Sequence, residues 1–175
     1  MDLASDLGTY IEHEGRPAVR FVRTYPYPVE RVWTAISDPD ELMRWFPSRV
    51  ELEPEVGGRV AFSGDPYAGD ATGVVLAYEP PRRLAFTWLT DELHLTLEPV
   101  DGGGSRLTLV NVLADRTAAA RNASGWFVCL GELRKLLDGV PSRGPHSDDT
   151  APWDPIYKAH VDAGLPAGAE IPATS

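Results

Sequence analysis

The side chains that chemistry most often recruits are thinly spread in this sequence. Its four histidines are His13, His94, His146 and His160. No two have the spacing that puts a pair of metal ligands on one face of a helix or strand, so no metal site is expected. His94 lies in a strand, but alternation turns it to the solvent face, where a surface histidine is expected rather than an acid or base. The single cysteine, Cys129, falls on the apolar face of a helix with no neighbouring base, which predicts an inert buried thiol. Asn122-Ala123-Ser124 has the form of a glycosylation acceptor but sits in a helical stretch, so the match is treated as chance. Gly102-Gly103-Gly104 is expected at a hairpin tip, because the strand-to-helix setting of a phosphate cradle is missing. No catalytic residue and no cofactor are expected.

Two polar residues are more informative, since a buried polar group costs on the order of 1 to 3 kcal/mol unless it finds a partner. Asn122 lies on the apolar stripe of the long helix one turn before Trp126, and Asn111 shares a strand face with Leu107 and Leu109. Either can orient a polar group of a ligand, or simply bond main chain or water. Trp33, Trp45, Phe86, Trp88 and Trp126 supply aromatic surface that suits an apolar pocket or a filled core. Leu95, Ala119 and Gly125 complete the candidate cavity lining. Arg23, Arg49 and Arg83 offer charge to an acidic ligand, although surface arginines are ordinary in such positions.

The element that must position these groups is the helix predicted over residues 118–138. Trp126, Cys129, Leu130, Leu133, Leu136, Leu137 and Val140 fall at helical spacing and define one buried stripe roughly 120° wide. Asp115 or Thr117 can cap its start, and Gly139 followed by Pro141 ends it. Towards the start the stripe shrinks to Ala119, Asn122 and Gly125, which removes side-chain volume and predicts a gap beneath the first half of the helix. A strand is predicted over 18–25, ended by Pro26 and Pro28. Two short helices follow, 29–37 and 40–45, the second capped by Asp38 and halted by Pro47. Short strands at 49–52 and 58–62 and longer ones at 72–78, 83–88, 93–98 and 106–112 are joined by tight turns, which makes an antiparallel meander. Leu84, Phe86 and Trp88 share one face, as do Leu93, Leu95 and Leu97, so the sheet has one apolar side and the striped helix must cover it.

The chain has 175 residues and a formal net charge of −10. That length suits one domain, and that charge repels phosphate backbones and anionic lipid, so neither nucleic acid nor membrane is an expected partner. Neither a signal segment nor an apolar run of roughly 20 residues is present, and a cytoplasmic location is expected. The predicted division is an N-terminal extension over 1–15, the folded domain over 16–140 and a Pro-rich tail over 141–175. The tail carries one ordered island, a short helix near 154–163, with Asp154 as its cap, Pro155 at its first position and Ile156, Tyr157, His160 and Val161 along its apolar edge. Trp153 stands beside it.

Several of these residues occur in a recognisable order: Val32-Trp33, Asp38-Pro39, Trp45, Gly57-Gly58, Gly73, PPRRLAFTW over 80–88, GSRLTL over 104–109, and Gly125-Trp126. The sequence resembles the START-like superfamily, also called SRPBCC or birch-pollen-allergen-like, and within it the branch named after the activator of the 90-kDa heat-shock-protein ATPase. The resemblance covers about residues 16 to 139. It implies an α+β helix-grip fold, a curved antiparallel sheet of about seven strands wrapped around a long C-terminal helix with a deep cavity between them. The branch carries no shared catalytic motif. The eukaryotic co-chaperone activator has a separate N-terminal chaperone-binding domain, whereas only residues 1–15 precede the first predicted strand here, which argues against a chaperone partner.

Three functions are therefore weighed: a binding protein for a small apolar or amphipathic molecule, a polyketide-cyclase-type enzyme using the same cavity, and a co-chaperone-like protein-binding module. The binding protein is preferred, because no acidic residue or histidine points clearly inward to act on a substrate. A homodimer is left open.

Overall fold

The structure is a computed structural model that describes residues 3–172. Met1, Asp2 and residues 173–175, the outer ends of the predicted extension and tail, lie outside the described residues. A helical turn α1 (Leu3–Asp6) precedes strands β1 (Thr9–His13) and β2 (Arg16–Tyr25), then the helices α2 (Val29–Ser37) and α3 (Pro39–Leu42). Six strands follow: β3 (Arg49–Leu52), β4 (Arg59–Ser63), β5 (Ala71–Glu79), β6 (Arg83–Trp88), β7 (Asp91–Val100) and β8 (Gly104–Val112). A 3₁₀ turn, Arg116–Ala118, leads into the long helix α4 (Ala119–Leu137), and α5 (Trp153–Asp162) comes last.

The strands form one antiparallel sheet in the order β1-β2-β8-β7-β6-β5-β4-β3. Among the described residues it has eight strands where about seven were predicted from the connections, because residues 9–13 of the predicted extension pair with β2. The two residues of that hairpin turn, Glu14 and Gly15, both have positive φ, 51° and 79°. Such turns are usually announced by Asn-Gly or Asp-Gly, and Glu-Gly hides the signal.

The predicted faces hold. Leu84 lies opposite Leu95, Leu95 opposite Leu109, and Leu97 opposite Leu107, and all are buried on the side that α4 covers. Gly73 allows β5 and β6 to come together, since a Cβ there would collide with the Thr87 carbonyl oxygen. Local caps set the helix ends as the sequence leads one to expect. The Asp38 carboxylate accepts the Asp40 and Glu41 N–H groups, and that of Asp115 accepts the Thr117 N–H at 2.9 Å, capping the 3₁₀ turn ahead of α4 rather than α4 itself, which follows Ala118 without a side-chain cap. Gly139, at φ 70°, closes α4 with its N–H on the Leu136 carbonyl.

Two features of α4 differ from the prediction. Val140 lies beyond the Gly139 turn and is exposed, so it leaves the stripe. The helix is also buried on its second side: Ala120, Ala123, Ser124, Phe127, Val128 and even Glu132 are covered. The cover is the tail. α5 packs on α4, Ile156 and Leu165 join the main core, and the Ala120 N–H donates to the Pro166 carbonyl at 2.9 Å. The Glu132 carboxylate is held by Lys135 at 2.7 Å and by the Ser142 hydroxyl. In the tail helix, Pro152 rather than Asp154 precedes the first turn, and no side chain caps it. Pro155 stands third in the helix, where the missing N–H has no intrahelical partner to lose. Among the described residues, no helix is long and apolar enough to cross a membrane.

Candidate ligand-binding site

Asn111 and Asn122 meet at one point, where β8 faces the start of α4. The fully buried Asn111 stands opposite Leu93 in the β7–β8 pairing. Its Nδ2 donates to Asp91 Oδ2 at 3.1 Å and to the Glu92 and Val112 carbonyls at 3.2 and 3.3 Å. Its Oδ1 accepts from Asn122 Nδ2 at 3.0 Å and from the Trp126 indole N–H at 3.1 Å. Asn122 Nδ2 also reaches Asp91 Oδ2 at 3.0 Å, and the other Asp91 oxygen accepts the Ala114 N–H at 2.9 Å. Asn111 reaches main chain, as the plainer of its two predicted roles has it, but the partners of Asn122 are all side chains, and the resulting network orients Trp126. Asp91 is its hub and was missed from sequence, where Thr90-Asp91-Glu92 reads only as a turn. An inward acidic residue was not expected, yet this carboxylate is half-buried and spends both oxygens on protein donors.

Beside this network lies a half-open cavity of about 820 Å³, within the roughly 300 to 1,000 Å³ range of small-molecule pockets. One wall is the first half of α4: Arg121, Asn122, Gly125, Trp126, Val128 and Cys129. A second is the β6–β7 turn with Trp88 and Leu89, and a third is the segment Asp65, Tyr67 and Ala68. The tail closes the far side with residues from Pro145 to Asp154 and with Ile171 and Pro172. Trp88 and Trp126 lie 5.1 Å apart at 59° and form an aromatic floor. A Cβ at Gly125 would meet nothing within 4 Å, so the missing side chain opens real space. Leu89 is held at φ 55° with its side chain exposed at the mouth, an uncommon backbone conformation for a residue of this size.

Of the ten predicted lining residues, Trp88, Asn122, Gly125 and Trp126 border this cavity. The other six do not. Trp45 is fully buried and its indole N–H donates to the Ala35 carbonyl at 2.8 Å. Phe86 packs in a cluster with Phe46 and Phe62, and Leu95 and Ala119 are core residues. Trp33 sits edge-on to Tyr78, 5.7 Å away, and Asn111 stands behind Trp126. The tail residues that wall the cavity were not foreseen. The stacking of Trp153 on Tyr157, 4.8 Å apart at 13°, depends on a helix whose docking place no local pattern states.

The titratable groups follow their surroundings. Burial raises the Cys129 thiol far above its ordinary range, with the nearby Asp65 and Glu132 carboxylates adding to the effect; it stays protonated and unreactive. On the outer face, Arg16 and then His94 hold the Glu92 carboxyl down to about 2 against some desolvation. His94 lies 2.9 Å from Glu92 and 5.1 Å from the His13 ring. Arg23 differs from its predicted surface role. It is half-buried on the inner side of β2, donates to the Asp6 carbonyl at 2.7 Å, and is lowered chiefly by desolvation. Arg49 and Arg83 are exposed. Among the described residues, no group of three or more His, Cys, Asp or Glu is placed to hold a metal ion.

A curved antiparallel sheet closed by one long helix, with a cavity beside that helix, defines the helix-grip class of proteins. Within it the chain belongs to the family described as activator of Hsp90 ATPase homolog 1-like protein, whose profile matches residues 26–138. CalU16 from Micromonospora echinospora, in its solution structure, is 25% identical with a TM-score of 0.70 over 90% of this chain and 93% of that one. The protein encoded by gene BPP1335 of Bordetella parapertussis is 29% identical with a TM-score of 0.64, over 89% and 87% of the two chains. DynU16, a protein of the dynemicin biosynthetic locus, is 26% identical with a TM-score of 0.61, over 71% of this chain and 48% of its own. No curated protein matches the sequence.

Proposed function

We propose that this protein is a binding module that holds one small apolar or amphipathic molecule in the cavity floored by Trp88 and Trp126. The carrying observation is the cavity itself, about 820 Å³ beside a core otherwise filled by large side chains. A half-open cleft of this size with two tryptophans in its wall suits a small-molecule ligand. Arg121 stands at one end, where its positive charge suits a polar head, while Gly125, Val128 and Leu89 suit an apolar body. The likeness to a protein of the dynemicin biosynthetic locus supports a product or intermediate of small-molecule biosynthesis as the ligand class. A chaperone-binding role has only the family description behind it.

Mass spectrometry of intact protein from its native cells tests this by showing a retained small molecule. The neutral fluorophore N-phenyl-1-naphthylamine serves as probe in vitro. Gly125→Leu fills open space and is expected to weaken probe binding at least tenfold, about 1.4 kcal/mol, with the fold intact. Unchanged affinity in that folded variant sinks the reading. A cyclase-type enzyme has one foothold, Asp65 in the cavity wall 3.8 Å from His146. That reading requires Asp65→Asn to leave ligand binding in place and abolish turnover.

A further inference from the structure

We propose that His160 is an acid-sensitive latch that holds the tail helix against the body and so regulates retention of ligand in the cavity. The idea rests on the binding reading above. The connection is geometric: Pro152, Trp153 and Asp154 at the start of α5 form part of the cavity wall, and His160 fastens the same helix further on. Its ring is wholly buried. Nε2 accepts the Gly8 N–H at 3.0 Å, so the proton of the neutral ring sits on Nδ1. Nδ1 then donates to the Ile156 carbonyl at 3.0 Å, with the Ser124 hydroxyl 3.2 Å away. That hydroxyl gives its own proton to the Ala120 carbonyl at 2.7 Å. One ring thus joins the N-terminal segment, α4 and α5.

The arrangement fits only the neutral ring. A second proton, on Nε2, would face the Gly8 N–H, donor against donor. The rings of Phe21 and Phe127 stand 6.2 and 6.3 Å away at 68° and 81° and offer no hydrogen-bond acceptor to a second proton. The charged groups named on the packed elements have partners other than the ring, and the Asp6 carboxylate, two residues before Gly8, acts on Arg23. Arg23 stacks over Phe21 and bonds the Asp6 carbonyl, Arg121 bonds Asn122 and the Glu170 carbonyl, Glu132 bonds Lys135, and Lys158 pairs with Asp162. Asp154 lies at the far end of α5, at the cavity. No carboxylate is among the ring's hydrogen-bond partners. Desolvation accordingly lowers the His160 pKa from its ordinary value of 6.5, and only the Ile156 carbonyl opposes it.

The sign follows from linkage. A released His160 takes up a proton near pH 6.5 and the docked one does so only lower, so docking is fully favoured above about pH 6.5 and weakens as pH falls. If the docked state excludes the proton, the ratio of released to docked tail rises about tenfold between pH 7.5 and 5.5.

Nuclear magnetic resonance on the full chain measures both partners of the linkage: the ring signal of His160 reports its protonation, and the amide signals of Gly8 and residues 153–162 report docking. The expected result is a ring that titrates below its ordinary value, with α5 amides loosening in step. His160→Gln, which cannot take a proton, is expected to dock without pH dependence over this range. Loosening of equal size in that variant overturns the latch, and so does a wild-type ring that titrates at or above 6.5. The wild-type ring titration decides the matter even if His160→Gln fails to dock. Binding of N-phenyl-1-naphthylamine is followed in parallel and should weaken as α5 releases; undiminished retention with α5 released overturns the coupling. Absence of probe binding at pH 7.5 would instead defeat the cavity reading, while the amide signals still judge the latch.

Discussion

Replacing Asn111 by Leu tests whether the polar network sets the cavity floor. The new side chain has as many heavy atoms and is apolar, so the change removes hydrogen bonds without removing volume. Trp126 is almost completely buried, and its indole N–H has Asn111 Oδ1 as its partner. Left unpaired, that donor costs about 1 to 3 kcal/mol. Asn122 and Asp91 are half-buried and can turn to water, so their losses add about 1 kcal/mol. The expected total is about 2 to 4 kcal/mol, which with a urea slope near 2 kcal/mol/M moves the midpoint by about 1 to 2 M. A double-mutant cycle isolates the cause. In Trp126→Phe the orphan donor is absent, so Asn111→Leu should cost at least about 1 kcal/mol less in that background than in the wild type. Urea denaturation of the four proteins reads this directly, and binding of N-phenyl-1-naphthylamine should weaken in Asn111→Leu as Trp126 loses its fixed orientation. Strict additivity, or a single-variant cost under about 0.5 kcal/mol, would refute the network's role.

Leu133→Ala, at a fully buried position where α4 meets the sheet, should lower stability by roughly 2 to 5 kcal/mol in chemical denaturation. Ile156→Ala should cost a similar roughly 2 to 5 kcal/mol, because this tail residue belongs to the main core; a negligible change would return the tail to the role of appendage. Glu92 is lowered from 4.5 to about 2, so its contribution is present above pH 4.5 and is lost as pH falls through that interval towards 2. Glu92→Gln should flatten the stability profile across that window, and thermal melts at stepped pH would show it.

The features with local causes are legible in the amino-acid sequence alone. Asp38, Asp115 and Gly139 mark helix ends because caps and positive-φ turns act within a few residues. Alternation in 83–88, 93–98 and 106–112 assigns strand faces because successive side chains must point to opposite sides. The order of motifs then identified the helix-grip architecture, whereas of the shrinking stripe only Asn122 and Gly125 border open space and Ala119 is packed in the core. Tertiary structure alone decided what each apolar surface meets. Trp45, Phe86 and Trp88 look alike in sequence, yet Trp45 and Phe86 fill the core while Trp88 floors the cavity, since periodicity gives a side chain's face and not its neighbour. The strand at 9–13 depends on pairing with β2, and α4 has a second buried side only because α5 returns to it from the tail. Asp91, Asn111, Asn122 and Trp126 are spread over 91–126 and become one network only when β7, β8 and α4 converge. His160 gains its fixed tautomer from Gly8, at the opposite end of the chain, through a contact that no local pattern encodes.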